Sequence, residues 1–320
     1  METRKATAVR RHKNECERKY TAQSIKKDMK KNYSVYLLVI PVLAYFIIFN
    51  YAPMYGAVIA FKRYSPAMGI LGSPWAGLTY FKQFLESAYF VNVMKNTLLI
   101  SAYSIVFCFP APVILALMLN EVRASWFKKS VQTLSYLPHF ISMVVICGLI
   151  RNFVASDGLI NQIGQIFGME STNLLMKKEY FRSIYIISDI WQNIGWDSII
   201  FLAALAGVDS ELYDAAGIDG AGRWKQTLHV TLPGIMPTVI VMLILRIGNI
   251  LSVNGEKVIL LYNELTMDTA DVIGSFTYRK GLLEQNYSYS TAVGLFMSII
   301  NFIFITVANR LSKKAGYNLW

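Results

Sequence analysis

Five stretches of this chain carry no Asp, Glu, Lys or Arg: 32–61, 96–120, 130–150, 226–245 and 285–309. Their apolar residues come in blocks, without the periods of half-buried helices or strands. About 20 such residues, wound as a helix, cross roughly 30 Å of hydrocarbon. In lipid every backbone donor and acceptor has to be paired inside the protein, so each stretch predicts a membrane helix. A sixth stretch, 183–208, is long enough but holds Asp189 and Asp197. The pattern predicts an all-α membrane protein of six transmembrane helices, at about 34–61, 94–120, 130–150, 183–208, 233–253 and 286–309. A tail at 1–33, a loop at 209–232 and a tail at 311–320 complete the predicted organisation.

Composition agrees with that reading, because 54% of residues are hydrophobic and only 16% charged, against about a quarter charged in soluble domains. Segment 1–33 holds eleven Lys/Arg. That basic run is longer than a signal peptide's, so the first span is expected to be retained. With the N-terminus cytoplasmic, the inner segments carry nineteen Lys/Arg and the outer ones eleven. The bias predicts both termini inside. Beside a membrane helix, the basic tail is expected to meet anionic headgroups, at about 1 kcal/mol per cation, rather than nucleic acid. Cys16, Cys108 and Cys147 are scattered, and two lie in spans, which predicts neither a disulfide framework nor a thiolate metal site.

The inner loop between spans four and five contains DAAGIDGAGRWKQTLHVTLPGI, starting at Asp214. A plain connection needs only a handful of residues; this one has about 26. Asp209 or Ser210 can cap a short helix through Gly217, with Glu211 in its first turn, where the dipole favours negative charge. Ala215 and Ala216 are small and allow close approach. Gly217 and Gly220, with Asp219 between them, permit a turn at positive φ. A second short helix is expected at about 221–228, with Arg223, Trp224 and Lys225. A rigid helix–turn–helix with an aromatic on show suggests a docking surface.

This segment resembles the EAA loop of ABC importer permeases, whose pattern is E-A-A, three residues, G, nine residues, I, any residue, L-P. Here Asp214-Ala215-Ala216, Gly220 and Val230-Thr231-Leu232-Pro233 keep every spacing, with Asp for Glu and Val for Ile. Tyr45-Phe46-Ile47-Ile48-Phe49, Pro53-Met54-Tyr55-Gly56, Trp75-x-Gly77-Leu78 and Trp191-x-x-Ile194-Gly195 are similar to the LplB-type subgroup of carbohydrate permeases. The resemblance implies a type I importer fold in a bacterial cytoplasmic membrane. It also implies a second permease subunit, a cytoplasmic ATPase dimer and an extracellular solute-binding lipoprotein. The subgroup points to complex oligosaccharides, among them pectin-derived ones. The loop, with Glu211, Asp214–Gly217, Asp219, Gly220, Arg223 and Trp224, would then couple ATPase motion to the spans, Trp224 packing beneath the loop or against the partner.

The chain has no G-x-x-x-x-G-K-[ST] pattern; Gly220–Lys225 reads only GAGRWK. No cofactor is therefore expected on this chain, and ATP and Mg belong to the partner ATPase. Charged groups near mid-bilayer normally face a cavity or a partner. Trp191, Gln192, Asn193, Trp196 and Asp197 of span four, with Arg246, Asn249 and Asn254 of span five, offer the aromatic faces, amides and charges that sugars bind. Each serves equally as glue between helices. Arg246 is an expected partner for Asp197, and Asp189, near the outer end, is read as interface or surface. His139 and His229 have no paired ligand at i+3 or i+4 and read as structural. An ion-coupled carrier would favour inverted repeats, and a membrane enzyme a cluster such as H-E-x-x-H; neither is evident.

Overall fold

The computed structural model describes residues 28–314, so most of the basic N-terminal tail and the last six residues lie outside it. The described residues are helical, with a single isolated bridge between Lys62 and Trp75 and no strand. The chain divides into two compact units, Met1–Ala57 and Val58–Trp320.

In the first unit, helix α1 (Tyr33–Phe46) continues through a widened π-turn at Ile47–Tyr51. Ala52 there donates to the carbonyl five residues back, just ahead of Pro53. A proline ring crowds the carbonyl four residues behind it, and one extra residue in the turn makes room. The device recurs twice in the second unit. Phe109 donates to Ser104 before Pro110, and Leu232 donates to Thr227 before Pro233.

In the second unit, Phe61 stacks on Trp75 with centroids 5.9 Å apart. Helix α2 (Thr79–Leu85) buries Phe84 among Phe90, Phe276, Tyr289 and Phe296. Helix α3 (Phe90–Tyr103) runs through the π-turn into α4 (Pro110–Glu121). The charge-free stretch 130–150, expected as one span, is divided. Helix α5 (Ser125–Tyr136) ends in a 3-10 turn at Leu137–Phe140, and Ile141 and Ser142 are extended before α6 (Met143–Val154) begins. Pro138 lies in that turn and cannot donate a helical bond. Helix α7 is Leu159–Ile166.

Helix α8 (Lys178–Ala206), 29 residues long, packs along α4 and α5. It passes so close to α5 that a Cβ on Gly195 would run into the Ser135 backbone. Small residues let membrane helices approach this closely. Then come α9 (Ser210–Ile218), α10 (Arg223–Gln226) and α11 (Leu232–Gly248). Among the described residues, five helical runs are long and apolar enough to cross a membrane: Tyr33–Phe61, Phe90–Glu121, Met143–Ile166, Arg223–Gly248 and Tyr287–Lys314. Helix α8 is not among them, since Asp189, Gln192, Asn193 and Asp197 dilute its apolar run.

The stretch 254–284 reads as a polar outer loop in sequence, but folds into short helices α12 (Gly255–Leu261), α13 (Met267–Ala270) and α14 (Ile273–Tyr278). Lys257, Val258, Ala270, Val272 and Ile273 are all fully buried there. Asn96 of α3 anchors the segment, its Nδ2 donating to the carbonyls of Asp268 (2.9 Å) and Asp271 (3.1 Å). Arg182 of α8 donates in turn to Asn96 Oδ1 at 2.8 Å. Asp271 also binds Arg279 at 2.6 Å. Burial works against the Arg279 charge, and the hydrogen bond and charge of Asp271 outweigh it, so the Arg279 pKa is raised. The last helix, α15 (Tyr287–Lys314), lies against α11.

Candidate functional site: a polar cavity and an exposed loop

On α8, Asp189, Asn193 and Asp197 recur every four residues and so share one face. That face, the end of α3 with the π-turn that follows it, the end of α11 and residues 249–254 enclose a cavity of about 300 Å³. The π-turn before Pro110 carries Ser104 to its wall. Arg246 sits in the last turn of α11, where the helix dipole favours a cation. Asn249 follows as the C-cap of α11, and Asn254 caps α12 by accepting from the Lys257 amide at 3.1 Å.

The charges pair differently from the sequence expectation. Arg246 donates to Ser104 Oγ at 2.7 Å and lies 3.8 Å from Asp189, its carboxylate partner in place of the expected Asp197. Asp189 is no surface group. It also meets Lys257 Nζ at 3.5 Å, and Lys257 is fully buried. Lys257 further donates to the Tyr185 carbonyl at 3.4 Å and lies over the Tyr185 ring. Burial lowers the Lys257 pKa, and the Asp189 carboxylate pulls it back up. Asn193 donates to Asp189 at 3.2 Å and meets His139 Nδ1 at 3.1 Å. His139 stacks on Trp196 at 4.6 Å with the rings 3° from parallel.

Of the eight residues expected along a substrate path, Asn193, Asp197, Arg246, Asn249 and Asn254 line this cavity. Trp196 lines an adjoining hollow of about 670 Å³ that shares Asp197, Arg246 and Asn249. Trp191 does not join them. Two residues beyond Asp189 it points about 200° round the helix, into an apolar hollow beside Phe153 and Ile187. Gln192 is buried and lines neither cavity, and its Oε1 has no hydrogen-bond partner. Sequence reasoning missed Lys257, Ser104 and the position of Asp189. A lysine in the short run GEKVILL carries no local sign that its counter-ion stands 68 residues earlier. Among the described residues no group of three His, Cys, Asp or Glu is placed to hold a metal ion.

In the loop 209–232, Asp209 caps α9 by accepting from the Glu211 amide at 3.0 Å. The helix runs one residue past Gly217, which stays within it, while Gly220 alone of the two glycines takes a positive φ, +75°. Ala221 donates to Ala216 and Gly220 to Gly217. This is a Schellman closure with glycine at the one left-handed position. Glu211, Asp214, Ala215, Gly217, Asp219, Gly220, Arg223 and Trp224 are exposed, and Ala216 is half-buried. Trp224 is 74% and Ile218 88% exposed. The expected second short helix is not separate, since α10 runs on through the π-turn at Thr227–Thr231 into α11 as one helical run, Arg223–Gly248.

Residues 108–317 match the family described as binding-protein-dependent transport system inner membrane component. The chain belongs to that family. This permease is 46% identical to the polygalacturonan/rhamnogalacturonan transport system permease protein YteP of Bacillus subtilis, over 88% of each chain. It is 45% identical to protein LplB of the same organism, over 89% of this chain and 90% of that one. A chain from the crystal structure of a bacterial ABC transporter involved in the import of the acidic polysaccharide alginate superposes with a TM-score of 0.83 at 40% identity. That match covers 91% of the permease and 98% of the alginate transporter chain. A second crystal structure, of a bacterial alginate ABC transporter in complex with an alginate pentasaccharide-bound periplasmic protein, superposes equally well. The permease is thus a helical inner-membrane transport component and not an enzyme.

Proposed function

We propose that the permease forms one half of the translocation path of an ATP-driven importer for acidic oligosaccharides, such as fragments of polygalacturonan or rhamnogalacturonan. The observation that carries this reading is the 46% identity, over 88% of both chains, to a permease named for those polymers. The likeness to an alginate importer chain adds a second uronate polymer. The cavity supports it with a cation, Arg246, beside the amides of Asn193, Asn249 and Asn254. Planar amides and a guanidinium fork suit hydroxyls and carboxylates.

In this reading both termini are cytoplasmic and the loop 209–232 meets an ATPase dimer, which holds ATP and Mg. The exposed Ile218, Trp224 and Asp214 supply the docking surface, and α8 and α11 carry its motion to the cavity. A second permease subunit completes the path, and an extracellular solute-binding lipoprotein delivers the sugar.

The experiment is import of labelled oligogalacturonides into vesicles holding the assembled complex, with and without ATP. Import that needs both ATP and the ATPase subunit is expected. Import by this chain alone, with no ATPase in the vesicle, would overturn the reading. Placing a bulky side chain at Gly220 strains a left-handed residue by about 1–2 kcal/mol and obstructs the loop surface. It should abolish import and substrate-stimulated ATP hydrolysis together.

A further inference from the structure

Four charges gather at the cavity, where Asp189, Asp197 and Arg246 line the wall and Lys257 lies behind Asp189, and their surroundings are unequal. Lys257 is fully buried, so its ammonium has lost water on every side. Burying an ion is costly unless it is paired and hydrogen-bonded. Its acceptors are the Tyr185 carbonyl and Asp189 Oδ1. Asp189, 17% exposed in its side chain, is the only carboxylate with which Lys257 pairs among the described residues. Arg246 stands on the other side of Asp189, 41% exposed and facing the cavity. Its short contact is to the neutral Ser104 Oγ, and its ion pair with Asp189 is long at 3.8 Å. A guanidinium has five donors and pairs a carboxylate best through two parallel bonds below 3 Å. Asp197 lines the same cavity, but the ion pair Arg246 forms among the described residues is the long one with Asp189, so Arg246 keeps donors free for an anion.

We infer that Lys257 is a specificity-determining residue: by holding Asp189 it keeps Arg246 available for a carboxylate of the solute. The inference rests on the reading that the permease carries acidic oligosaccharides. Lys257 does not line the cavity and acts as a positioning residue through Asp189. Without it, Asp189 has one cation left, closes on Arg246, and becomes an internal competitor for the site. Neutral sugars would feel this little, because their hydroxyls use the amides of Asn193, Asn249 and Asn254.

The test compares import of an oligogalacturonide with its methyl ester, the same chain made neutral, by the assembled wild-type complex and its variants. Wild type should favour the acid by roughly tenfold or more, the usual worth of a charged hydrogen-bonded pair. Lys257→Met should bring the acid-to-ester ratio close to one while ester import persists. Adding Asp189→Asn to Lys257→Met removes the competitor and should restore the acid preference. A lysine needed only for packing would show no such rescue. An unchanged ratio in Lys257→Met, or no rescue in the double variant, overturns the inference. The double variant buries neither charge and carries the test where the single one does not assemble; a ratio near one in it overturns the inference equally. A wild-type complex indifferent to esterification sinks the acidic-solute reading itself, a result distinct from any failure of the variants.

Discussion

The Tyr213 hydroxyl donates to Thr231 Oγ1 at 3.0 Å, joining the exposed loop helix α9 to the foot of α11. Thr231 is almost fully buried, and its own hydroxyl turns back to the Gln226 carbonyl. A push on α9 thus meets α11 through a side chain as well as through the backbone. Tyr213→Phe removes one hydrogen bond, at about 1 kcal/mol. ATP hydrolysed per solute imported should rise severalfold while the complex assembles in normal yield. Parallel hydrolysis and uptake assays on the same vesicles measure this, and an unchanged ratio would show that the backbone link suffices.

The crossing of α8 and α5 gives a second prediction. Gly195→Val should lower the melting temperature of the purified complex, with a cost of about 1–3 kcal/mol, because its Cβ meets the Ser135 backbone and not a side chain able to swing aside. Gly148→Ala is the matched control. Open space surrounds that position, so stability should hold or rise slightly.

Arg279 and Asp271 predict a non-additive pair. Arg279→Met leaves a buried carboxylate whose remaining side-chain partner is the Ser275 hydroxyl at 2.7 Å, and should cost about 3–5 kcal/mol. Asp271→Asn in the same background should recover part of that loss. Thermal melting of the single and double variants reads the coupling directly.

Asn96 bears on the segment 254–284 alone. Asn96→Leu unpairs two carbonyls and the Arg182 contact, at about 1–3 kcal/mol for each buried group left unsatisfied. Amide exchange across 254–284 should quicken while α9 keeps its wild-type rate. Equal quickening in both regions would contradict a local anchor.

Much of this molecule is written along the chain. Charge-free blocks mark most of its long helices, because lipid tolerates no unpaired backbone. The turn at Gly220 is also legible, since only glycine occupies a left-handed position at no cost. The cavity was half legible. Asn193, Asp197, Arg246, Asn249 and Asn254 stand out as polar groups in apolar company, and the structure gathers them around one cavity. Trp191 stands out for the same reason yet faces the opposite side, because composition alone does not give the rotation of a helix. Lys257 and the buried segment around it were illegible. Their burial comes from Asn96, Arg182 and Asp189, far away in sequence, and nothing local in 254–284 distinguishes a packed segment from a solvated loop.

The three widened turns ahead of Pro53, Pro110 and Pro233 give the long helices joints at fixed places. A straight rod passes a tilt along its whole length, whereas a jointed one can swing one half while the other stays seated. The joint at Ser104–Cys108 carries Ser104, the hydroxyl that holds Arg246, and the joint at Thr227–Thr231 carries the threonine that holds Tyr213. Flexure at either place therefore alters a polar contact at once, and the proline beside each joint keeps the break from migrating along the helix.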